Sequence, residues 1–335
     1  MKVLVNGLGN IGTSLVNLLL HYQKDFGISE IHACKRTITP FHEAELKLLK
    51  EKGVKVCSYD HPEYDRLSDI LPEINYLFEA TANGVGLSNK EGYQKLKNLI
   101  GTSAQGSEKG FGISFMTGIN EDKIRGEKFV HVVSCNSHGS AALLRTFCGD
   151  QLENLDAADF VVVRRSEDIG NHQRLVSGNV VARHLDPKAG THHSIDVIDL
   201  FRTIGIDCEL TASDITTPSQ LTHSVRFNIQ FKNPISDIDE LISKSPFVST
   251  TSKFDSNVVF ELGRRYGFQG RLYSHAIIVR SNLLVHENSI KGWAFVPQEG
   301  NSLISTLHAF LLQTNHPKEK ELLQQIQFDL IQKEW

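Results

Sequence analysis

An α/β architecture is predicted for this chain: a doubly wound parallel sheet, then an α+β unit with a mostly antiparallel sheet. Three observations predict it. The chain opens on an apolar strand, a glycine-rich turn and an apolar-periodic helix. Strand-like and helix-like segments then alternate as far as residue 134. From Asp159 onward, strand-like segments follow one another without regular crossover helices.

Size and composition bound the answer. A chain of 335 residues predicts roughly two domains, at about 100–200 residues each. It is 40% hydrophobic and 22% charged, which excludes a disordered, collagen-like or coiled-coil chain. No apolar run approaches the roughly 20 residues needed to span a bilayer, so no membrane partner is expected. Lys and Arg total 35 against 39 Asp and Glu, a net charge of −4. That balance argues against a nucleic-acid partner. Met1 leads directly into a strand, so no secretory or transit segment is expected. The cysteines are Cys34, Cys57, Cys135, Cys148 and Cys208. They are odd in number and widely spaced, with no C-x-x-C pair, which speaks against a zinc or redox motif and for a reducing cytoplasm.

The first strand ends at Asn6, and Gly7-Leu8-Gly9-Asn10-Ile11-Gly12 follows at once. This is the glycine pattern of the Rossmann dinucleotide fingerprint, in the strand–loop–helix context that the pattern requires. Gly7 permits the tight turn, Gly9 the approach of a pyrophosphate, and Gly12 close packing of helix on strand. The helix N-terminus offers free N–H groups to the phosphates. The second strand, Glu30–Cys34, ends in Lys35-Arg36 rather than in the acidic residue of an NAD-specific site. Two cations suit a 2′-phosphate, so NADP is preferred over NAD. Residues 41–52 read as a helix, with strands at 54–58 and 75–80. The small-residue loop Thr81-Ala82-Asn83-Gly84-Val85-Gly86 follows the latter, where a cofactor lies in an open parallel sheet.

Residues 129–134 read as a strand ending at Ser134, with Cys135 next and a helix over 140–152. A thiol between strand end and helix start should feel the helix dipole, which lowers its pKa and favours a nucleophile. The alternative is a buried packing cysteine.

The surrounding residues decide between these. Ser134-Cys135-Asn136-Ser137-His138-Gly139 resembles the nucleophile motif of the archaeal-type (type II) glyceraldehyde-3-phosphate dehydrogenases, V-V-S-C-N-T-T-G. Other marks of that family recur in order. Asn6 to Gly12 match N-G-x-G-x-I-G, and Lys35 matches the lysine closing the second strand. Gln105-Gly106-Ser107-Glu108-Lys109 matches Q-G-G-E-K, followed by the pair Ser114-Phe115. Arg164-Arg165-Ser166-Glu167-Asp168 matches R-R-x-x-D, and His192-His193-Ser194-Ile195-Asp196-Val197 matches H-H-G-P-D-V. His223-Ser224-Val225 matches H-S-I/V, and Lys291 to Glu299 match K-G…Q-E. The resemblance spans essentially the whole chain. It departs at His138, Ile169, Ser194 and Ile195, which border the expected phosphate site and bear on the exact aldehyde.

The resemblance implies a cysteine-dependent, phosphorylating oxidation of glyceraldehyde 3-phosphate to 1,3-bisphosphoglycerate, with its reverse, as in glycolysis and gluconeogenesis. Cys135 is the implied nucleophile and His223 the implied base and thiolate partner. Cofactor contacts are implied at Asn6, Gly7, Gly9, Asn10, Ile11, Gly12, Lys35, Arg36, Thr81, Asn83, Gly84, Gln105, Gly106 and Gln298. The substrate phosphate and inorganic phosphate fall to Ser134, Asn136, Ser137, Arg164, Arg165, His192 and His193. If Arg164 and Arg165 lie on a regular strand they point to opposite faces, so only one enters a given site. No third ligand at suggestive spacing supports a metal at His192-His193. The family's homotetramers, formed through the catalytic sheet, are implied in the same way. Competing readings are a related semialdehyde dehydrogenase or acyl-phosphate reductase, and a non-enzymatic NADP-binding redox sensor.

The expected organisation is a dinucleotide-binding domain over 1–134 and a catalytic domain over 135–300. C-terminal helices over 301–335 should return to the first domain. Cys135 would lie at the junction, with the active site between the domains. In the second half, strands are expected at 160–164, 207–212, 223–231, 258–261 and 276–279. Helices are expected at 196–204, 237–243, 302–313 and 318–333.

Overall fold

A computed structural model describes every residue except 107, 170–175, 220 and 236. Ser107, within the 105–109 motif, therefore lies outside the described residues. The chain divides into two compact units. One comprises residues 1–117, 121–132 and 305–322; the other comprises 118–120, 133–304 and 323–335.

The first unit holds a sheet of eight strands: β1 (Lys2–Asn6), β2 (Glu30–Cys34), β3 (Lys55–Ser58), β4 (Asp65–Arg66), β5 (Tyr76–Glu79), β6 (Gly101–Gln105), β7 (Ile113–Phe115) and β8 (Phe129–Val132). Their order is β4-β3-β2-β1-β5-β6-β8-β7, and every pairing is parallel. Its helices are α1 (Asn10–His21), α2 (Glu43–Glu51), α3 (Leu67–Ile70), α4 (Val85–Gln94) and α5 (Glu121–Ile124). This is the doubly wound sheet predicted. The chain leaves β1 in one direction and returns to its other side at β5, so the switch point lies between the ends of β1 and β5. Ligands of open α/β sheets bind at such crevices. The central strands are buried on both faces, as parallel strands must be.

The second unit holds β9 (Leu155–Arg165), β10 (Val180–Val181), β11 (Leu210–Thr217), β12 (His223–Phe231), β13 (Val248–Thr251), β14 (Ala276–Val279), β15 (Leu284–His286) and β16 (Ser289–Val296). The order is β10-β11-β9-β12-β16-β14-β13, with β15 on β16. Only β9–β11 and β13–β14 are parallel among the described pairings. Its helices are α6 (Cys135–Cys148), α7 (His192–Arg202), α8 (Ile238–Lys244) and α9 (Ser256–Tyr266). Helix α6 is buried along nearly its whole length. Small residues allow that: a Cβ on Gly139 would stand 2.7 Å from Val296 Cγ2.

Helices α10 (Leu303–Gln313) and α11 (Glu319–Leu330) close the chain. Phe310 of α10 packs on Phe26 and Tyr76 within the first unit, with ring centroids 5.5 and 4.9 Å apart. At the other end, Trp335 N–H donates to Thr250 O within the second unit.

Several expectations are corrected. Residues 258–261 form no strand; they lie inside α9. The short Val-Val-Phe run was read without its helix signals. Asp255 caps the helix by accepting from Asn257 N–H at 2.8 Å, and Glu261 pairs with Arg264 and Arg265 one turn on. Helix α6 begins at Cys135 rather than at 140, because Ser134 rather than a later residue is its N-cap, and Gly149 ends it. Helix α7 begins at His192 rather than at 196, and β11 starts at Leu210 rather than at 207. Strands β6, β13 and β16 were not anticipated. Small and polar residues fill β6 and β13, and these do not read as strand in a window.

Candidate active site

The residues of the first unit expected to contact a dinucleotide gather around the β1–β5 switch point. Gly7 follows β1 with φ +108°, and a Cβ there would lie 2.5 Å from Ala80 O beyond β5. A Cβ on Gly12 would lie 1.8 Å from Gly7 O. Both glycines are therefore demanded by the protein itself. Gly9 differs: a Cβ there meets nothing within 4 Å. It borders open space at the start of α1, with Asn10 and Ile11 in that helix's first turn. The donor set and this cradle fit a pyrophosphate.

Lys35 does not simply project into solvent. Its Nζ donates to Leu8 O at 2.8 Å, tying the end of β2 to the glycine loop. Arg36 lies over the Tyr59 ring, 5.9 Å from its centroid. Asn6 is turned inward: its Nδ2 donates to Glu79 Oε2 (3.1 Å) and Tyr93 OH (3.0 Å). Thr81 Oγ1 donates to the other oxygen of Glu79 at 2.5 Å. Glu79, buried at the end of β5, thus clamps both lips of the crevice. Asn83 is exposed, and Gly84 (φ +86°) starts α4. Glu108 accepts from Gly84 N–H (2.5 Å) and Leu87 N–H (3.0 Å). The α4 N-terminus is therefore already neutralised by a carboxylate, which leaves that of α1 to a phosphate. Gln105 Nε2 donates to Thr306 Oγ1 (2.7 Å), and Gly106 O accepts from His131 Nε2 (2.5 Å).

In the second unit, Cys135 is the first residue of α6. Ser134 caps that helix, its Oγ lying 2.9 Å from Ser137 Oγ. Asn136 and Ser137 are buried, so of the three expected phosphate residues that flank the thiol only Ser134 is partly exposed. Asn301 Nδ2 donates to Cys135 O (2.8 Å), fixing the backbone at the thiol. His138 is fully buried, with Nδ1 3.0 Å from Ser134 O.

The expected low thiol pKa is not found. Burial pushes the Cys135 thiol up to about 12, and Arg165 and the Asn136 N–H oppose this only in part. The reason lies in what surrounds the guanidinium. Arg165, its side chain 2% exposed, donates to Glu299 Oε1 at 2.6 Å and to Asp168 Oδ1 at 2.7 Å. Two carboxylates share one cation, so little positive field remains for a thiolate. Desolvation of the half-buried thiol outweighs a helix N-terminus here.

His223 opens β12. Arg165 N–H donates to its Nδ1 at 3.1 Å. Burial, then Arg165 and Arg164, push the imidazole down to about 3, with Gln298 pulling the other way. The expected near-neutral pKa and thiolate–imidazolium pair are therefore not present in this state; both groups are neutral. Gln298 belongs to this cluster, its Nε2 donating to Asp168 Oδ1 at 3.1 Å.

Arg164 and Arg165 do point apart, because β9 runs regularly through both. Arg164 Nη1 lies 3.5 Å from Asp214 Oδ1, and His193 Nε2 lies 3.5 Å from Asp214 Oδ2. The rings of His192 and His193 are 3.9 Å apart. The structure thus forms two groups: Arg164, His192, His193 and Asp214, and Arg165, His223, Asp168, Gln298 and Glu299. Sequence reasoning missed Asp214, Asn301 and Glu79. Only Glu79 left a signal, as a carboxylate ending an otherwise apolar buried strand.

A Rossmann-type sheet, with a mixed-sheet unit carrying a thiol, an imidazole and paired guanidinium groups, defines a dehydrogenase-like architecture. No family model matches the chain. Curated relatives named glyceraldehyde-3-phosphate dehydrogenase do match over most of its length. The protein of Metallosphaera sedula is 28% identical over 323 residues, covering 87% of this chain and 89% of its own. That of Saccharolobus solfataricus is 27% identical over 280 residues, covering 78% and 76%. That of Saccharolobus islandicus (strain M.14.25 / Kamchatka #1) is 26% identical over 281 residues, again covering 78% and 76%. These relatives agree with the archaeal-type family that the sequence motifs resemble, and they support an oxidoreductase.

Proposed function

We propose that this chain oxidises glyceraldehyde 3-phosphate to 1,3-bisphosphoglycerate with NADP, or less favourably NAD, and catalyses the reverse. The observation that carries the proposal is Cys135 at the first position of a capped, buried helix, in the field of an Arg165 whose own backbone holds His223. The relatives' names supply the substrate.

The chemistry follows from the chain's own groups. Cys135, once its proton has left for solvent, attacks the aldehyde carbon and forms a hemithioacetal oxyanion. His223, with Nδ1 already accepting from Arg165, offers Nε2–H to that oxygen. The resemblance assigned this histidine the role of base; its hydrogen bonding favours a donor. A nicotinamide cofactor, when bound, would supply the acceptor for the hydride. Loss of hydride leaves a thioester on Cys135. Inorganic phosphate attacks the thioester carbonyl, releasing the acyl phosphate and the thiolate. Arg164, His192 and His193 would hold phosphate oxygens. Lys35 and Arg36, at the end of β2, support the preference for NADP.

The reading extends to a cytoplasmic homotetramer. Trp293, Leu284 and Val285, exposed on β16 and β15, support burial of that sheet in an assembly; light scattering after gel filtration tests it. The catalytic proposal is tested by NADP reduction with glyceraldehyde 3-phosphate, with and without inorganic phosphate, on wild type and Cys135→Ser. Phosphate-dependent turnover lost in the variant is expected. Turnover without phosphate would indicate hydrolysis, and no turnover with NADP still bound would sink the substrate.

A further inference from the structure

We propose that Asn301 is a positioning residue for the nucleophile: its carboxamide holds the Cys135 carbonyl and so sets where the thiol stands against Arg165. The inference rests on the reading of Cys135 as the nucleophile and adds a residue that neither the motifs nor the family resemblance marked. Asn301 is fully buried. Its Nδ2 donates to Cys135 O at 2.8 Å and to His275 O at 3.1 Å. A carbonyl oxygen only accepts, so the amide nitrogen must face both oxygens and the orientation of the carboxamide is fixed. Both of its N–H groups are thereby used on main-chain oxygens. His275 is itself held, since its N–H donates to Phe247 O at 2.8 Å. The asparagine therefore straps the first residue of α6 to a fixed point just before β14.

The same short turn also grips the guanidinium. Gly300 N–H and Asn301 N–H both donate to Pro297 O, at 3.2 and 3.0 Å. The turn packs tightly, because a Cβ on Gly300 would lie 1.9 Å from Leu272 O. Glu299 accepts from Arg165 Nη1 at 2.6 Å. Gln298 Nε2 donates at 3.1 Å to Asp168 Oδ1, which accepts from Arg165 Nη2 at 2.7 Å. Residues 298–301 thus hold Arg165 at one end and the main chain of Cys135 at the other. Arg165 is the largest of the groups that favour the thiolate against burial. A shift of the first turn of α6 away from it weakens that field.

Stability alone does not account for this arrangement. Asn301 Oδ1 is buried and has no hydrogen-bond partner among the described residues. An orphaned buried acceptor carries a desolvation cost that offsets what the two donated bonds contribute. Polar groups kept at such a cost concentrate where a local geometry has a task. Covalent attack is such a task, since a misplacement of about 1 Å costs up to roughly 10²-fold in rate.

The first readout needs no substrate: alkylation of Cys135 by iodoacetamide at pH 8, followed on its peptide by mass spectrometry. Asn301→Ala should slow it about tenfold or more. The isosteric Asn301→Asp turns an acceptor towards both carbonyls and should slow it at least as much; circular dichroism checks that each variant folds. Thr146→Val is the control for stability. It removes bonds at the far end of the same helix, to Ala142 O (2.7 Å) and Ser245 Oγ (2.9 Å). It should lower the melting temperature and leave alkylation at the wild-type rate. With NADP and glyceraldehyde 3-phosphate, Asn301→Ala should lower kcat about tenfold or more and leave KM for NADP unchanged. Alkylation that is unchanged or faster in a folded Asn301 variant overturns the proposal, as does equal slowing in Thr146→Val. A wild type without turnover whose alkylation still depends on Asn301 sinks the dehydrogenase reading and leaves the positioning role standing.

Discussion

The backbone N–H of Arg165 donates to Nδ1 of His223 at 3.1 Å. A backbone amide can only donate, so the neutral ring must accept at Nδ1 and carry its proton on Nε2. Burial and two nearby guanidinium groups keep the ring neutral, with a pKa of about 3. In ¹⁵N-resolved spectra of the ligand-free protein, His223 should show the Nε2–H tautomer unchanged from pH 8 to pH 5. Titration to imidazolium within that range would refute the assignment.

The thiol faces the same shortage of positive charge. With Cys135 raised to about 12, its thiolate fraction keeps growing throughout the accessible pH range. Alkylation of Cys135 by iodoacetamide, followed on its peptide by mass spectrometry, should rise about tenfold per pH unit from 7 to 9. A plateau below pH 8 would show an activated thiolate instead.

The three loop glycines should separate stability from binding. Gly9→Ala meets no protein atom within 4 Å, so its melting temperature should match wild type. Its affinity for NADP, read by fluorescence titration, should fall about tenfold or more, since the methyl enters the phosphate approach. Gly12→Ala places a Cβ 1.8 Å from Gly7 O and should destabilise the fold with or without cofactor. Equal melting losses for the two variants would contradict this division of roles.

Arg165 and Glu299 form a buried pair, 2% and 7% exposed at the side chain. Arg165→Met leaves two carboxylates facing each other without their cation, and should cost about 3–5 kcal/mol of unfolding free energy. Adding Glu299→Gln should recover part of that loss in denaturant titrations. Additive losses would mean the pair is not coupled.

These features were unequally legible in the sequence. The parallel sheet was readable because a strand, G-x-G-x-x-G and an amphipathic helix are local patterns with local causes. Strand β2 and strand β12 were placed at Glu30–Cys34 and His223–Phe231, where apolar or alternating residues are uninterrupted. Strand β13 was invisible, since Val-Ser-Thr-Thr owes its burial to β14 and the C-terminal residues rather than to its own hydrophobicity. The helix at 256–266 was misread because a three-residue apolar run has no clear period. At the candidate site, Cys135 and His223 were singled out by motif, but their protonation was not legible. That depends on Glu299 and Asp168 converging on Arg165, and on a backbone amide of β9 meeting the first residue of β12. None of these is a spacing in one stretch of chain.

His275 offers the sharpest test of how buried imidazoles shape stability. It is fully buried, stacked on Phe247 with centroids 4.7 Å apart, and edge-on to His138 at 5.0 Å. Neither ring nitrogen has a hydrogen-bond partner among the described residues. Burial first, then His138 and Arg145, hold its pKa well below the ordinary 6.5. The unfolded chain therefore binds a proton below pH 6.5 that the folded chain refuses, and stability falls as the pH drops from there. His131 and His308, buried and likewise depressed, add to the same slope. His275→Phe fills nearly the same stack and removes two unsatisfied polar atoms. It should gain about 1 kcal/mol or more at pH 7, and a larger margin at pH 5. Denaturant unfolding at the two pH values measures both quantities. A gain that does not widen on acidification would mean that His275 takes up its proton in the folded state, against the burial that surrounds it.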